Sequence, residues 1–291
     1  MAVDPIKQWY AKRERDLIAN LKKNYKRPRA NFVASELSAC RLATWFRLMG
    51  YIPCARNPRG EDYGNDGNLH HDSVRNQMRE GGMEIGDVTF NKDGTVEETG
   101  IYILNITHKW IKFNISMRLD GTLRLGVLKH TLEIKSLGYW KYKPIQKVWE
   151  DTESEAAVLG WLMKNRVDMI YQVHANMVAT KLKQSYLVFK DRSDCAIGLH
   201  SSKNPKAITG GVVVPFSPTL WKGVLDKLAF IQRHIDSGVQ PDPDFLEEVT
   251  ACKYCNYHHL CHGAEKRRKK KLEPAIWHPQ LGAKIHLDDN K

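Results

Sequence analysis

Glu133 and Lys135 stand two residues apart in the run Leu132, Glu133, Ile134, Lys135, which reads as a strand from its aliphatic and β-branched content. A strand turns successive side chains to opposite faces, so Glu133 and Lys135 share one face and Leu132 and Ile134 the other. Upstream, Met117, Arg118, Leu119 and Asp120 place a second acid at the end of another strand pattern. The glycine that follows it, Gly121, suits a turn that brings Asp120 beside Glu133. Two carboxylates and an ammonium converging on one edge suit phosphodiester hydrolysis. The carboxylates hold a divalent cation, the cation lowers the pKa of a bound water, and the lysine steadies the water or the developing charge. A Glu-x-Lys on an exposed strand is otherwise an ordinary ion pair of little energetic weight.

A second constellation lies near the C-terminal end, where Cys252, Cys255 and Cys261 are separated by two and then five residues. Three thiols at that spacing can serve one metal centre, and a fourth thiolate is missing locally. Zinc can complete its tetrahedron with His258, His259 or His262. A four-iron cluster takes a fourth thiolate from elsewhere, and Cys40, far upstream, is the candidate. Six cysteines in 291 residues are too few for a disulfide scaffold, and clustered thiols in a reducing compartment are more often ligands. Cys54 and Cys195 have no place in this pattern and read as ordinary free thiols.

The elements that must position these residues follow from periodicity. Residues 5–25 are charged and helix-compatible, and a second helical pattern spans Ser35 to Met49, with Cys40 inside it. A loop at Gly64, Asn65, Asp66 and Gly67 leads into a helix carrying His70 and His71 that stops near Gly81 and Gly82. From Met83 to Ser136 the period is strand-like, at 101–104, 111–115 and 132–135, and reads as one meandering sheet. Helices follow at 153–165 and 167–183, strands at 185–190 and 211–215, and a helix at 218–237 that a Pro- and Asp-rich connector ends. Helices, sheet, helices in that order predict an α/β (α+β) fold with a central mixed β-sheet flanked by helices.

Composition narrows the partners. With 42% hydrophobic residues the chain has enough to bury a core, and 45 basic against 33 acidic residues leave a formal charge of +12. That excess favours a polyanion over a small neutral ligand. Lys266, Arg267, Arg268, Lys269, Lys270 and Lys271 form a block of like charge that reads as a solvated, flexible segment. No run of about 18 apolar residues is present and Met1 to Asn20 is too charged for a secretory signal, so the expectation is a cytoplasmic protein without membrane contact. No Gly-Lys-Ser/Thr phosphate loop signals a motor domain.

Asp120 followed, across a turn and a strand, by Glu133, Ile134 and Lys135 resembles the PD-(D/E)XK nuclease superfamily, whose members carry an Asp and then an acid-x-Lys on one sheet edge. The branch similar to the RecB nuclease domain also has Gly-x-x-x-His before a polar helix. Gly67, Asn68, Leu69, His70, His71 and Asp72 supply that spacing, and the resemblance points to His71, not His70, as a ligand. The same branch has a Gln with a Tyr four residues later. Here Gln172 follows Tyr171 and Asn176 stands at the later position, so half of the motif is present, and Gln172 and Tyr171 are its candidate DNA contacts. An early cysteine in Ser35 to Arg41 with a late Cys-x2-Cys-x5-Cys resembles the iron-sulfur exonucleases of CRISPR adaptation and AddB-type nuclease domains. This likeness covers Ser35 to Cys261.

The resemblance implies a restriction-endonuclease-like core in which His71, Asp120, Glu133 and the carbonyl of Ile134 hold Mg²⁺ or Mn²⁺ and Lys135 orients the attacking water. It implies a 4Fe-4S cluster on Cys40, Cys252, Cys255 and Cys261 that joins the N- and C-terminal segments. The expected organisation is a basic helical segment over 1–34, a nuclease domain over 35–262 and a basic flexible tail over 263–291. The expected activity is exonucleolytic, on single-stranded DNA ends, with recombination or CRISPR-adaptation proteins as partners. Two rivals share the same motifs: a non-catalytic DNA-binding or CRISPR-adaptation-type assembly subunit that keeps the cluster for stability, and a zinc-stabilised RNA-processing protein.

Overall fold

The computed structural model describes residues 8, 9, 11–13, 15, 16, 19, 31–51, 53, 58–90, 96–193, 197–204, 206–244, 252, 255–261, 276–278 and 283–285. Two compact units are present, one formed by residues 32–38 and 65–226, the other by residues 1–31, 39–64 and 227–291. In chain order the elements begin with β1 (Phe32–Val33), a short 3-10 helix (Ala34–Glu36), α1 (Arg41–Met49) and α2 (Pro58–Glu80). Six strands and a long strand follow: β2 (Ile85–Gly86), β3 (Val88–Phe90), β4 (Val96–Thr99), β5 (Ile101–His108), β6 (Ile111–Arg118), β7 (Gly121–Leu125) and β8 (Leu128–Leu137). Then come α3 (Tyr139–Thr152), α4 (Glu155–Asn165), α5 (Val167–Thr180), β9 (Gln184–Asp191), β10 (Leu199–His200), β11 (Ile208–Thr209) and β12 (Gly211–Pro215). The chain ends with α6 (Pro218–Ser237), α7 (His258–Cys261), β13 (Ile276–His278) and β14 (Ala283–Ile285).

The first unit is a mixed α/β structure whose main sheet has the order β12-β9-β8-β7-β2. Strands β8 and β9 are parallel and the remaining pairs antiparallel. β8 lies at the centre, and from His130 to Ile134 every residue is buried, so this strand is covered on both faces. On one face Val74 and Met78 of α2 pack with Leu123, Leu132, Ile134 and Val188. On the other, Ile145, Trp149, Leu162, Ile170 and Val173 from α3, α4 and α5 pack on Leu187, Phe189 and Val212. Each fully buried aliphatic side chain contributes about 1.5–3 kcal/mol, so this double layer fixes β8 more firmly than any edge strand.

The single meander expected from 83 to 136 is instead divided. β5 and β6 pair as a hairpin and join β1 in a separate three-stranded sheet, while β7 and β8 belong to the larger one. The crossing falls at Leu119 and Asp120, directly before Gly121 at φ 143°. A Cβ there would stand 2.8 Å from Ile85 Cγ2 and 3.1 Å from the Gly86 carbonyl oxygen, so glycine is what lets β7 lie against β2. Gly121 therefore begins a strand rather than forming the expected turn.

Three further expectations change. The Gly64–Gly67 loop is part of α2, which already starts at Pro58; two helical glycines cost about 1 kcal/mol each, a penalty that Val74 and Met78, anchored in the core, outweigh. Cys40 is not inside a helix but precedes α1 in extended backbone (φ −53°, ψ 136°). Ser35 lies in the short 3-10 helix and Ser38 in the turn after it, and serine is a residue type that disfavours helix interiors. α3 has no counterpart in the sequence reading because Pro144 lies inside it. Of the expected N-terminal helix, residues 8, 9, 11–13, 15, 16 and 19 are helical and the others lie outside the described residues, as do Cys54, Cys195, His262 and Lys266–Lys271.

In the second unit, α1 buries Leu42, Trp45, Phe46 and Leu48. Tyr257 stacks on Phe46 with ring centroids 5.9 Å apart, and the Trp45 indole donates to the His234 carbonyl. Gly50, in left-handed backbone at φ 86°, closes α1.

Candidate active site

β8 brings Glu133 and Lys135 to the face that α5 covers. The Lys135 ammonium donates to Glu133 Oε1 at 2.6 Å and to Gln172 Oε1 at 2.7 Å. The second oxygen of Glu133, Oε2, accepts from Asn176 Nδ2 at 2.8 Å. Gln172 and Asn176 are one turn apart on α5 and so share a face. Tyr171, half-buried one position earlier, makes none of these bonds.

Register places the second acid. Gly121 pairs with Leu132, which sets Asp120 beside Glu133. Asp120 Oδ2 accepts the backbone N–H of Ile134 at 2.7 Å, so this carboxylate is hydrogen-bonded to the strand that carries Glu133 and Lys135. From α2, His71 Nδ1 lies 3.0 Å from Asp120 Oδ1. One turn on, Arg75 grips the same residue twice, with Nη2 on Oδ1 at 2.7 Å and Nε on the Asp120 carbonyl at 2.8 Å. Asp72 Oδ1 accepts the remaining arm of the guanidinium at 2.8 Å.

The two acids are tuned apart. Burial would raise Asp120, but His71, Arg75 and the Ile134 amide outweigh it and hold its carboxyl below the ordinary carboxylate range. Burial raises Glu133 above its ordinary value, with the Asp120 charge adding to the effect and Lys135 opposing it. Glu133 is 1% exposed, whereas the Lys135 side chain is 20% exposed, so the ammonium is the member that faces outward.

Thus the structure gathers His71, Asp120, Glu133, Ile134, Lys135 and Gln172 in one place and leaves Tyr171 outside the hydrogen-bonded group. Sequence reasoning missed Arg75 and Asn176 as partners of the acids. Each stands four residues after a residue already singled out, His71 and Gln172, and helical spacing alone would have named them. Two carboxylates, a carbonyl and an imidazole nitrogen suit Mg²⁺ or Mn²⁺ as a donor set.

The four cysteines all belong to the second unit. Cys261 is pushed up to about 12 by burial and by the nearby thiols of Cys255, Cys40 and Cys252, and Cys255 is raised by burial with Cys40 and Cys252 adding to it. Cys40, distant in sequence, is thus an electrostatic neighbour of the C-terminal thiols. Backbone amides of Asp244 and Tyr257 point at the sulfurs of Cys40 and Cys255, each at 3.4 Å. Lys227 donates to the Ala39 carbonyl, and its ammonium is lowered by burial. Soft thiols with amides directed at sulfur suit zinc or an iron-sulfur cluster. Among the described residues no group of three or more His, Cys, Asp or Glu is spaced to hold a metal ion.

No family model and no curated protein matches the chain. Among solved structures it is similar to SSO0001, at 12% identity and a TM-score of 0.41 over 89% of this chain and 97% of that one. It is also similar to LHK-Exo in complex with dAMP, at 12% identity and 0.42 over 77% of this chain and 93% of that one. A second structure of that protein, an alkaline exonuclease from Laribacter hongkongensis, gives 13% identity and 0.41 over 80% and 93%. No helix among the described residues is long and apolar enough to cross a membrane.

Proposed function

We propose that the chain is a divalent-metal-dependent deoxyribonuclease acting on single-stranded DNA ends, with Asp120, Glu133 and Lys135 as its catalytic residues. The observation that carries this reading is the Asp120 carboxylate bonded to the Ile134 amide, between the two residues of the acid-x-Lys pair. His71, Asp120, Glu133 and the Ile134 carbonyl would hold Mg²⁺ or Mn²⁺. When bound, such a cation acidifies a water and offsets charge developing on the phosphate.

The chain's own residues do the positioning. Gln172 and Glu133 take two of the three N–H donors of Lys135. The third is left to orient the attacking water or to donate to a phosphate oxygen. Asn176 keeps Glu133 from rotating, and the burial of Glu133 ensures that it accepts charge only beside a cation. An imidazole among oxygen donors shifts preference toward Mn²⁺. Cleavage is therefore expected to be faster with Mn²⁺ than with Mg²⁺, and Ca²⁺ is expected to bind without supporting it.

Cys40, Cys252, Cys255 and Cys261 are proposed to hold a 4Fe-4S cluster that stabilises their unit, with zinc as the alternative metal. Protein prepared anaerobically is expected to be brown and to contain iron and acid-labile sulfide; one equivalent of zinc without iron would overturn the cluster. The site itself is tested by calorimetric metal titration beside single-turnover cleavage of labelled DNA. Undiminished cleavage by Glu133→Ala would sink it.

One observation favours a second reading, a non-catalytic DNA-binding or assembly subunit. Both oxygens of Asp120 and both of Glu133 already have protein partners, so the charges are satisfied without a metal. DNA binding with no hydrolysis in Mg²⁺ or Mn²⁺ is the outcome that selects it.

A further inference from the structure

Five residues beyond Lys135, β8 has ended and the first turn of α3 presents Tyr139 and Trp140. Tyr142 and Ile145, buried at 4% and 0%, fix this helix to the core, and the Tyr142 hydroxyl donates to the Gly198 carbonyl. The turn is therefore anchored while its outer side meets solvent. Trp140 is 85% exposed and Tyr139 42%. Their rings meet edge to face, with centroids 5.3 Å apart and planes at 78°. Lys143 lies over the Tyr139 ring at 4.9 Å and donates to its hydroxyl. Lys141 and Lys147 are exposed on the same helix, and its first turn contains no acid.

A large aromatic surface left in water beside cations, on a fixed turn, matches what unpaired bases need. Their faces stack on aromatic rings whatever the sequence, and lysines accompany the phosphates. Duplex DNA, whose bases already stack on one another, offers no such face. We propose that Tyr139 and Trp140, with Lys143, form a base-stacking subsite for single-stranded DNA next to the Glu133 and Lys135 strand. This rests on reading that strand as the site of phosphodiester hydrolysis.

Chain reach sets where the base sits. Five residues span at most about 18 Å, equal to roughly five nucleotides at 3.4 Å per stacked residue. The subsite thus engages a base within about five nucleotides of the phosphate at Lys135, and it orders the strand end without reading sequence.

The test uses the full chain in a buffer free of divalent cations, so that binding is measured without cleavage. The probes are a fluorescein-labelled oligothymidylate and an abasic deoxyribose-phosphate oligomer of the same length. Trp140→Ala is expected to weaken binding of the oligothymidylate by about 5- to 150-fold. It leaves the abasic oligomer unchanged, and Trp140→Phe restores most of the loss. Equal weakening of both probes, or of neither, overturns the subsite. So does conversion of a dimer to a monomer by Trp140→Ala in sedimentation, which would make the patch a protein interface. Wild-type protein that shows the Trp140 dependence but hydrolyses nothing with added Mn²⁺ overturns the nuclease reading and leaves the subsite standing. Cleavage by wild type, with unaltered oligothymidylate binding by Trp140→Ala, does the reverse.

Discussion

Around Asp120 and Glu133 each carboxylate oxygen has a protein partner within 3.0 Å, whereas the sulfurs of Cys40 and Cys255 receive one backbone amide each at 3.4 Å. The first region supplies its own cations, Lys135 and Arg75, and so holds its shape and one of its charges before any metal arrives. In the second, burial and the neighbouring thiols raise Cys255 and push Cys261 up to about 12. A metal there would have to displace protons to make thiolates, so its binding would be coupled to pH and to folding. The two proposed sites thus differ in kind: the carboxylates are held by the chain's own hydrogen bonds and ion pairs, whereas the thiols would be held by what they bind.

The sharpest way to break this contrast is to empty the preorganised region of a charge. Asp120→Ala or Glu133→Ala is expected to lower single-turnover cleavage by on the order of 10³ or more, with the far-ultraviolet circular dichroism of the fold retained. Cleavage that persists would mean the carboxylates are structural. Lys135→Ala should reduce the chemical step by roughly 10²–10³ while calorimetry finds metal affinity nearly unchanged. A matching loss of metal affinity would instead make Lys135 a support for Glu133.

Stability separates the regions next. Arg75 is 4% exposed, and its removal takes the guanidinium from the part-buried Asp120 carboxylate, leaving it His71 and the Ile134 amide. Arg75→Met is expected to cost about 3–5 kcal/mol in urea denaturation; a cost of a few tenths would mean that the site is not held as described. Cys40→Ala should cost little in metal-free protein and show its effect only when metal is present, as lost iron and sulfide and a lower midpoint of thermal unfolding.

The smallest effect concerns pH. Burial lowers His174 below its ordinary value near 6.5, although its bond to the Ile170 carbonyl opposes this. Its Nε2 accepts the Ser217 amide at 3.0 Å, which requires the neutral ring. Because the folded value is depressed, the unfolded chain takes up the proton first as pH falls below about 6.5. Stability is therefore full above that pH and declines on acidification through the folded value. His174→Gln should unfold at a lower temperature at pH 8 but lose less on going to pH 5.5, as followed by thermal denaturation.

Much of the site was legible because strand period is local. Leu132, Glu133, Ile134 and Lys135 alternate as expected, and the strands at 211–215 and the helix at 218–237 fall where the pattern puts them. Arg75 and Asn176 were not legible as partners, since a guanidinium or an amide on a polar helix face acquires its role only from what the fold sets opposite. Gly121 was read as a turn because glycine signals positive φ without saying which structure uses it. Pro144 concealed α3, and with it the exposed Tyr139 and Trp140. The half-present Gln172 motif shows the same limit: Asn176 breaks the pattern yet reaches Glu133.

Asp120 lies where the chain leaves one sheet and enters another. In mechanical terms it is a pin shared by two plates, and a shear of about 1 Å between them would carry the acid away from Glu133, which in the proposed nuclease would cost roughly 10² in rate. Arg75 ties the carbonyl and the carboxylate of Asp120 to α2, which packs on the five-stranded sheet. The hairpin of β5 and β6 can therefore lengthen, exchange its tip at Lys109 and Trp110, or flex under load while the acid stays with the strand that needs it.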